Sequence, residues 1–326
     1  MKALLCRELG AIDALRVEEV ASLRPAAGQV AIDVKAAAAN FPDVLMVEGK
    51  YQFKPPMPFA PGCEVAGLVT EVGAGVTRVK AGDAVLAIVP HGGFAEEVVA
   101  DEGRVVSLPA GVDLEIAAAF MFTYATSYHA LHDRAALSPG ETLLVLGAAG
   151  GVGLAAVELG RKMGARVIAA ASSAEKLAAC RSRGAAETIN YAAEDLRERV
   201  KVLTDGRGVD VVLDPVGGAY TEPALRSLAW RGRLLVVGFA GGEIPRIPLN
   251  LALLKGCAIV GVFWGDFTRR EPEAHAANTA RLVEWMAAGE LEPLICERLP
   301  LARGVDALRL VKERRVRGKV LVLPEA

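Results

Sequence analysis

The sequence lacks the features that mark membrane proteins and proteins that bind nucleic acid. Its net charge is only −2 at pH 7, so it has no basic field to attract nucleic acid or an anionic membrane. The uncharged run at residues 142–157 is too short and too rich in glycine to span a membrane. The first ten residues contain neither a long apolar core nor a small-residue cleavage site, and we therefore expect a cytoplasmic protein.

Cysteine is scarce, and the five cysteines are scattered. They lie at positions 6, 63, 180, 257 and 296, without the close pairs that a zinc knuckle or a CxxC redox site requires. An odd number of separated thiols is typical of a reducing compartment. His129 and His132 could share one helix face, but no third ligand follows at a suitable spacing, so no metal site is predicted.

Two sequence patterns follow one another along the chain. The segment up to about residue 110 is rich in glycine and proline turns and in alternating runs such as Gln29–Val34, which predicts a β-rich domain. After it, apolar strands alternate with helices, as in a doubly wound parallel sheet. The strands predicted in this part are Thr142–Leu146, Arg166–Ala170, Glu187–Asn190, Val209–Asp214, Arg233–Val237 and Cys257–Val262.

The predicted fold class is α/β, with two domains in 326 residues. We expect residues 1–122 and 266–326 to form a β-rich catalytic and substrate domain, and residues 123–265 to form an inserted dinucleotide-binding domain. The last strand, Gly318–Leu323, is expected to return to the first domain.

The most informative run is Leu143–Gly153 (LLVLGAAGGVG), where an apolar strand leads through a glycine-rich turn into a helix of small residues. In this interpretation Gly150 takes the tight turn, Gly151 lets the backbone approach a pyrophosphate, and Gly153 lets helix and strand pack closely. Glycine clusters also occur in ordinary turns, but a second strand begins one helix later, as a βαβ unit requires. The candidate phosphate-binding residues are Ala149, Gly150, Gly151, Val152 and Gly153.

The end of the second strand indicates which dinucleotide is bound. An NAD site carries a carboxylate there for the ribose hydroxyls, whereas this strand is followed by Ser172, Ser173 and then Lys176. Hydroxyls and an ammonium are suitable partners for a 2′-phosphate, so we predict NADP(H) as the cofactor. The alternative is an ordinary helix cap at the two serines and a solvated charge at Lys176.

Several further motifs, taken together, resemble the medium-chain dehydrogenases and reductases, within them the zinc-independent NADPH:quinone oxidoreductases related to zeta-crystallin. The resemblance extends over nearly the whole chain and implies a GroES-like β-rich domain and a Rossmann domain. It rests on NFPD (residues 40–43), Tyr51, PGCEVAG (61–67), VGAGVTRVKAGDAV (72–85), TYATSYHAL (123–131), GETLLVLGAAGGVG (140–153), DPVGG (214–218) and RGKVLV (317–322). Glu158 departs from the family pattern, which usually has Gln there; we expect it in helix packing or at the surface.

The resemblance also implies that no zinc is used. Zinc-binding relatives have Cys where this chain has Asn40 and His where it has Cys63, and they add a lobe of four close cysteines that is missing here. We expect Cys63 to be a small buried thiol.

The function implied by the resemblance is NADPH-dependent reduction of a quinone or a related α,β-unsaturated carbonyl compound. Asn40 and Tyr51 match residues that bind the substrate carbonyl or the nicotinamide ribose, and Tyr51 is the best candidate proton donor. Without the family match, each could equally be a turn or packing residue. The residues implied beside the nicotinamide are Thr126, Phe239, Val262, Phe263 and Trp264, and Tyr191 is implied beside the 2′-phosphate.

Other functions and an assembly state follow from the same resemblance. An enoyl-thioester or alkenal reductase of the same fold, a non-catalytic NADPH-binding protein and a zinc alcohol dehydrogenase are the alternatives. The relatives form homodimers through the last strand of the nucleotide sheet, which here lies near residues 258–263, although that strand could also be an interior one. The expected partner is a small molecule, with no role for nucleic acid or membrane.

Overall fold

The computed structural model describes residues 1–325. Its strands are β1 (Lys2–Leu5), β2 (Arg16–Glu19), β3 (Gln29–Ala38), β4 (Glu64–Val72), β5 (Ala84–Ile88), β6 (Glu97–Asp101), β7 (Val105–Ser107), β8 (Thr142–Val145), β9 (Arg166–Ala171), β10 (Glu187–Asn190), β11 (Val209–Asp214), β12 (Leu228–Val236), β13 (Ala258–Gly261), β14 (Ile295–Pro300) and β15 (Lys319–Leu323).

The α-helices are α1 (Phe41–Val47), α2 (Leu114–Ala118), α3 (Met121–Tyr128), α4 (Gly151–Lys162), α5 (Ala174–Ser182), α6 (Leu196–Leu203), α7 (Thr221–Arg226), α8 (Asn250–Lys255), α9 (Trp264–Arg270), α10 (Pro272–Ala287) and α11 (Gly304–Lys312). A π-helical segment, His129–Arg134, follows α3. Within the described part of the chain, no helix has the length and apolar character needed to cross a membrane.

The chain divides into two compact units. The first contains residues 1–122 and the C-terminal segment from Val283, and the second contains residues 123–282. The sequence predicts a second boundary at 265/266, whereas the structure keeps α9 and most of α10 with the second unit. The reason is packing, because the Phe267 ring stacks on His129 at a centroid distance of 4.0 Å and Asn278 donates to Asp133 at 2.8 Å.

The first unit is built on a seven-stranded sheet. The order is β14-β15-β3-β4-β5-β7, and β6 also pairs with β3. The final strand pairs antiparallel with β3, Val322 lying opposite Ala37, which confirms that the end of the chain returns to the first unit. Alternate residues of β3, such as Val30, Ile32 and Val34, are fully buried in the core beneath this sheet.

The second unit is built on a parallel six-stranded sheet, in the order β10-β9-β8-β11-β12-β13. All six predicted strands are present. β12 begins at Leu228, five residues before the predicted start at Arg233, and all other strand ends agree within one residue. Every residue of β8 and β11 is buried, as expected for central parallel strands that are covered on both faces. The chain order places β8 beside β11, the position in such sheets where the strand order reverses and ligands bind at the carboxyl ends.

Candidate active site

The glycine turn after β8 has the geometry of a close helix–strand junction. A Cβ on Gly153 would lie only 2.4 Å from the carbonyl oxygen of Gly147, so only glycine fits there. The sequence-based assignment of the tight turn to Gly150 is wrong. Gly150 has an ordinary φ of −76° and is the N-cap of α4, whereas Gly147 has φ of +56° and makes the left-handed turn directly after the strand.

The first turn of α4 is open in front of its backbone. A Cβ on Gly150 would meet only the Gly147 carbonyl oxygen, at 3.5 Å. The helix has 12 residues, so its first N–H groups and its dipole favour an anion at this end. Ala149, Gly151 and Val152 stand beside Gly150 at the same turn, and the first turn of α4 has the backbone donors that suit a pyrophosphate.

The predicted 2′-phosphate residues meet at the ends of β9 and β10. Lys176 extends its ammonium to the Ser172 hydroxyl, with an Nζ to Oγ distance of 3.2 Å. Ser173 caps α5 by accepting the backbone N–H of Lys176 at 3.3 Å, so the cap proposed as its alternative role is present. The backbone N–H of Tyr191 donates to the Ala171 carbonyl at 3.2 Å, which brings Tyr191 beside Ser172.

The Tyr191 ring has a partner that the sequence did not indicate. It packs on Tyr220, with ring centroids 4.3 Å apart and planes inclined by 37°. Such a tilted aromatic pair restricts the position of both rings.

The candidate nicotinamide residues of the second unit lie near the carboxyl ends of its strands. Thr126 is on α3, whose Ser127 hydroxyl donates to the Val152 carbonyl at 2.9 Å and so ties α3 to the glycine turn. Phe239 follows β12, and its ring covers Gly217, where a Cβ would lie 2.8 Å from the ring. After β13 the buried Val262 donates to the Val236 carbonyl at 2.9 Å.

Phe263 and Trp264 begin α9 and differ in exposure. The Phe263 side chain is 60% exposed, while Trp264 is buried and touches the edge of His275. The exposed ring is the one available to a bound molecule, and the buried indole supports the start of the helix.

Asn40 and Tyr51 belong to the first unit, where Asn40 is part of a buried polar network. The Asn40 Nδ2 donates to the Ala38 carbonyl at 3.3 Å and to Glu64 Oε2 at 3.2 Å, and Oδ1 accepts from Lys319 Nζ at 2.6 Å. Lys319 Nζ also donates to Glu64 Oε2 at 2.9 Å. The second oxygen of Glu64 accepts the Phe122 backbone N–H at 2.7 Å. This network consumes both donors of the Asn40 amide.

Asp43 is the next member of this polar cluster, and its side chain is completely buried. Its carboxylate accepts the backbone N–H of Asn40 at 2.7 Å and of Gly62 at 3.2 Å, and the Cys63 side chain lies close to it. Burial raises the pKa of Asp43 to about 6, although these hydrogen bonds and the Lys319 charge act in the opposite direction. Burial also raises the pKa of the Cys63 thiol, which confirms Cys63 as a buried, protonated thiol.

Tyr51 stands at the edge of this cluster. It is half-buried against the core of the first unit, and its backbone N–H donates to the Leu45 carbonyl at 3.2 Å. Burial, followed by the nearby Cys63 and Asp43 side chains, raises the pKa of Tyr51. Its phenol therefore remains protonated, and able to donate, at any physiological pH.

Sequence reasoning missed three residues of this network: Asp43, Glu64 as an ion-pair partner, and Lys319. The available signal is a charged residue at the start of an apolar strand, as in KVLVL for β15 and EVAGLV for β4. Such a charge is buried only with a partner. The side chains of Lys319 and Glu64 are 3% and 0% exposed, respectively.

Asp214 and Glu158 have structural roles, and that of Glu158 agrees with the expected helix packing. Asp214 caps the turn after β11, because Oδ1 accepts the N–H groups of Val216 and Gly217 at 2.9 and 2.8 Å. Glu158 lies in helix packing and not at a phosphate, since it accepts from the Tyr124 hydroxyl and from Arg183.

The side chains that could be mistaken for metal ligands are committed to other partners. Glu64 is held by Lys319 and Asn40, and Asp43 accepts the backbone N–H groups of Asn40 and Gly62. Over residues 1–325, no three His, Cys, Asp or Glu side chains are grouped in a way that could hold a metal ion.

Comparison with known proteins gives the family. A family model described as alcohol dehydrogenase GroES-like domain matches residues 26–110, and one described as zinc-binding dehydrogenase matches residues 151–280. The chain is 39% identical to a quinone oxidoreductase-like protein 2 homolog of Nematostella vectensis, over 98% of this chain and 88% of the relative. The chain belongs to the medium-chain dehydrogenase and reductase superfamily, in its quinone oxidoreductase-like group.

Solved structures of superfamily members share the fold. Quinone oxidoreductase of Escherichia coli, solved in complex with NADPH, superimposes with a TM-score of 0.92 at 28% identity, over 99% of this chain and 100% of that one. The enoyl reductase CurK superimposes with a TM-score of 0.88 at 27% identity, over 99% and 98%. The predicted family and the predicted α/β fold, with a GroES-like domain and a Rossmann-type sheet, are thereby confirmed.

The residues of this superfamily member fit NADP(H) as cofactor. No side chain covers the first turn of α4 at Gly150, so its backbone is open to a pyrophosphate, and Gly153 lets the helix pack closely against the strand end. The ammonium and hydroxyl at the end of β9 have the charge and donors that suit a 2′-phosphate, and residues 170–174 (AASSA) contain no carboxylate to repel it.

Proposed function

We propose that this protein is an NADPH-dependent, metal-independent reductase of quinones or related α,β-unsaturated carbonyl compounds. The observation that carries the proposal is the combination of an open helix N-terminus after a glycine turn with the Lys176–Ser172 pair at the next strand end. Membership of the quinone oxidoreductase-like group supports the reaction class.

Cofactor binding is assigned to the second unit. The turn from Ala149 to Gly153 would hold the pyrophosphate, with the donors supplied by residues other than Gly150, whose N–H is donated to the Gly147 carbonyl at 3.0 Å. Ser172, Ser173, Lys176 and Tyr191 would hold the 2′-phosphate. Thr126, Phe239, Val262, Phe263 and Trp264 would position the nicotinamide. NADPH, when bound, supplies a hydride to an electrophilic carbon.

The chain's own contribution to the chemistry is assigned to Tyr51. Reduction of an enone or a quinone places negative charge on the carbonyl oxygen, and a neutral phenol is a suitable donor to it. Because burial raises the pKa of Tyr51, the donor is present throughout the neutral range. We assign to Tyr51, and with it to Asn40, the orientation of the reacting groups.

A substitution of Tyr51 tests this role. Tyr51→Phe removes one hydrogen bond to a developing charge, worth about 1.5–3 kcal/mol, so kcat should fall by about ten-fold or more. The dissociation constant for NADPH, measured by the fluorescence of the cofactor, should not change. Wild-type kcat in the variant would remove Tyr51 from the mechanism.

The acceptor class is tested by initial rates of NADPH oxidation against a quinone, an alkenal, an enoyl thioester and a simple ketone, each with and without a chelator. We expect the quinone to be turned over and the chelator to have no effect, because Glu64 is held by Lys319 and Asn40 and Asp43 accepts two backbone N–H groups. Reduction of the ketone alone, lost on chelation, would indicate a zinc alcohol dehydrogenase.

The enoyl thioester is included because it represents the second candidate function. The similarity to an enoyl reductase of the same fold supports that candidate. A preference for the thioester or the alkenal would mean that the cofactor and the site are as proposed but that the substrate is not a quinone. Tight NADPH binding without turnover of any acceptor would favour a non-catalytic NADPH-binding protein.

We further propose a cytoplasmic homodimer that pairs through β13. This strand is the edge of the six-stranded sheet, and Ile259 and Phe263 beside it are 40% and 60% exposed. An open apolar edge is stabilised by pairing with a second copy. Ile259→Lys should shift the mass measured by light scattering from two chains to one, whereas Val202→Lys, at another exposed apolar position on α6, should not. A monomeric wild type would exclude the dimer.

A further inference from the structure

We propose that Glu64 and Lys319 are positioning residues that lock the Asn40 amide in one orientation, so that Asn40 offers only an acceptor oxygen to a bound molecule. The inference rests on the proposed function only in naming that molecule. Its basis is the buried network that these three side chains form in the first unit.

The Asn40 side chain has no donor left. An asparagine amide carries two N–H donors and an oxygen with two lone pairs. Both donors are used, at 3.3 Å to the Ala38 carbonyl and at 3.2 Å to Glu64 Oε2. The oxygen accepts from Lys319 Nζ at 2.6 Å, which leaves one lone pair.

The reversed amide is excluded by charge. Rotation by half a turn would place the NH2 group against the Lys319 ammonium and the oxygen against the Glu64 carboxylate. The lock cannot relax into water, because Asn40, Glu64 and Lys319 are 6%, 0% and 3% exposed. Glu64 is itself fixed, since its other oxygen accepts the Phe122 N–H at 2.7 Å.

Stability alone does not account for such a pair. Burial of two charges carries a desolvation cost, and apolar side chains of similar volume are often at least as stable. Lys319 is followed by four apolar residues in β15 and Glu64 by five (VAGLV) in β4, so a hydrophobic residue at either position would continue the pattern. The specific result of placing a cation and an anion here is the fixed polarity of Asn40.

The fixed polarity selects the chemistry of the group that Asn40 binds. A carbonyl oxygen needs a donor and cannot pair with Asn40, whereas a hydroxyl can donate to the remaining lone pair. Asn40 therefore binds a hydroxyl, such as one on the cofactor ribose, and Tyr51 alone of the two binds the substrate carbonyl.

The lock can be observed without cofactor or substrate. The sequence has four asparagines, at 40, 190, 250 and 278, so selective ¹⁵N-Asn labelling gives four side-chain NH2 pairs. The pair that disappears in the Asn40→Asp/Glu64→Gln variant identifies Asn40. In the wild type this pair should exchange with solvent at least ten-fold more slowly than an exposed amide; equal exchange would overturn the lock.

Two double variants separate positioning from simple structure. In Glu64→Gln/Lys319→Met, the oxygen of the amide introduced at position 64 must accept the Phe122 N–H. Its NH2 group then faces Asn40, so the Asn40 amide should reverse. We expect kcat/KM for NADPH to fall at least ten-fold while the melting temperature stays within a few degrees. A folded variant with wild-type kcat/KM would overturn the positioning role.

The second double variant tests the acceptor role by rescue. Asn40→Asp alone sets two carboxylates against one ammonium and should lose most of its activity. Asn40→Asp/Glu64→Gln restores the charge balance, and both oxygens of the carboxylate introduced at position 40 are acceptors. The activity of this double variant should therefore be at least ten-fold higher than that of Asn40→Asp alone. Failure to recover, in a protein of wild-type melting temperature, would mean that Asn40 acts as a donor.

These outcomes are distinct from failure of the proposed function. A protected Asn40 amide in a protein that neither binds nor oxidises NADPH would leave the lock intact and refute the function. Turnover of NADPH by a protein whose Asn40 amide exchanges as fast as an exposed one would support the function and refute the lock.

Discussion

The buried Asp43 carboxyl should make the protein less stable as pH rises from about 4 to about 6. The ordinary pKa of an aspartate is 3.8, and that of Asp43 in the folded chain is about 6, because burial penalises the charged form. The folded state therefore retains a proton that the unfolded chain releases in this interval. Stability from this group is fully present below the lower value and is lost as pH passes through the higher one.

The size of the effect follows from the two pKa values. A difference of about 2 pKa units corresponds to about 3 kcal/mol, of which about 2 kcal/mol falls between pH 4.5 and 7.5. Other groups titrate in the same range, so the quantity to measure is the difference in the free energy of unfolding between the wild type and Asp43→Asn. The asparagine cannot ionise and removes this contribution.

The assay is urea unfolding of both proteins at about pH 4.5 and 7.5. Asp43→Asn should be less stable than the wild type at the lower pH, because its NH2 group faces a backbone N–H that the carboxyl accepts. This gap in the free energy of unfolding should narrow by about 2 kcal/mol at the higher pH, where the wild type has lost the contribution of the protonated carboxyl. Asp101→Asn, at an exposed carboxylate, is the control for the loss of one negative charge. A gap that stays constant or widens with pH would refute the reasoning.

Three further substitutions have defined outcomes. Gly153→Ala should weaken NADPH binding by about ten-fold in fluorescence titration and lower the free energy of unfolding by about 1–3 kcal/mol, because the new Cβ would overlap a backbone oxygen. Gly103→Ala, which has open space around it, should change neither NADPH binding nor thermal unfolding. Lys176→Ala should reduce the preference for NADPH over NADH by about 10- to 150-fold in kcat/KM, the value of a charge-assisted bond, and an unchanged ratio would exclude a 2′-phosphate contact. Asp214→Ala should destabilise by about 2–4 kcal/mol in urea unfolding, because two backbone N–H groups lose their acceptor, while Asp214→Asn keeps one oxygen for them and should cost less.

The organisation of the second unit could be predicted because its signals are local. Parallel strands that are covered on both faces are typically continuous apolar runs, and Leu143–Val145 and Val211–Leu213 are such runs. The glycine turn and the serines after β9 are equally local. Each can be recognised from neighbouring residues, without knowledge of the rest of the chain.

The backbone angles of the turn depend on more than the neighbouring residues, and the assignment of the tight turn to Gly150 is wrong for that reason. Spacing identifies a set of glycines but does not say which one the chain reverses on. The left-handed residue is Gly147, directly at the strand end, where the departing strand sets the direction of the chain.

The buried network around Asn40 could not be predicted from the sequence. Lys319 and Glu64 are 255 positions apart, and they meet only because β15 and β4 flank β3 in one sheet. Asp43 could be noticed in NFPD, but its burial depends on segments far along the chain. The same limit explains the displaced boundary between the units, because the contact of Phe267 with His129 crosses a long stretch of sequence.

The most direct test of the central claim is the initial rate of oxidation of NADPH and of NADH, in parallel, with a quinone as acceptor and the purified wild-type protein. The account predicts turnover with a kcat/KM at least ten-fold higher for NADPH, and loss of that preference in Lys176→Ala. Turnover that prefers NADH, or a preference that survives the loss of Lys176, would contradict it.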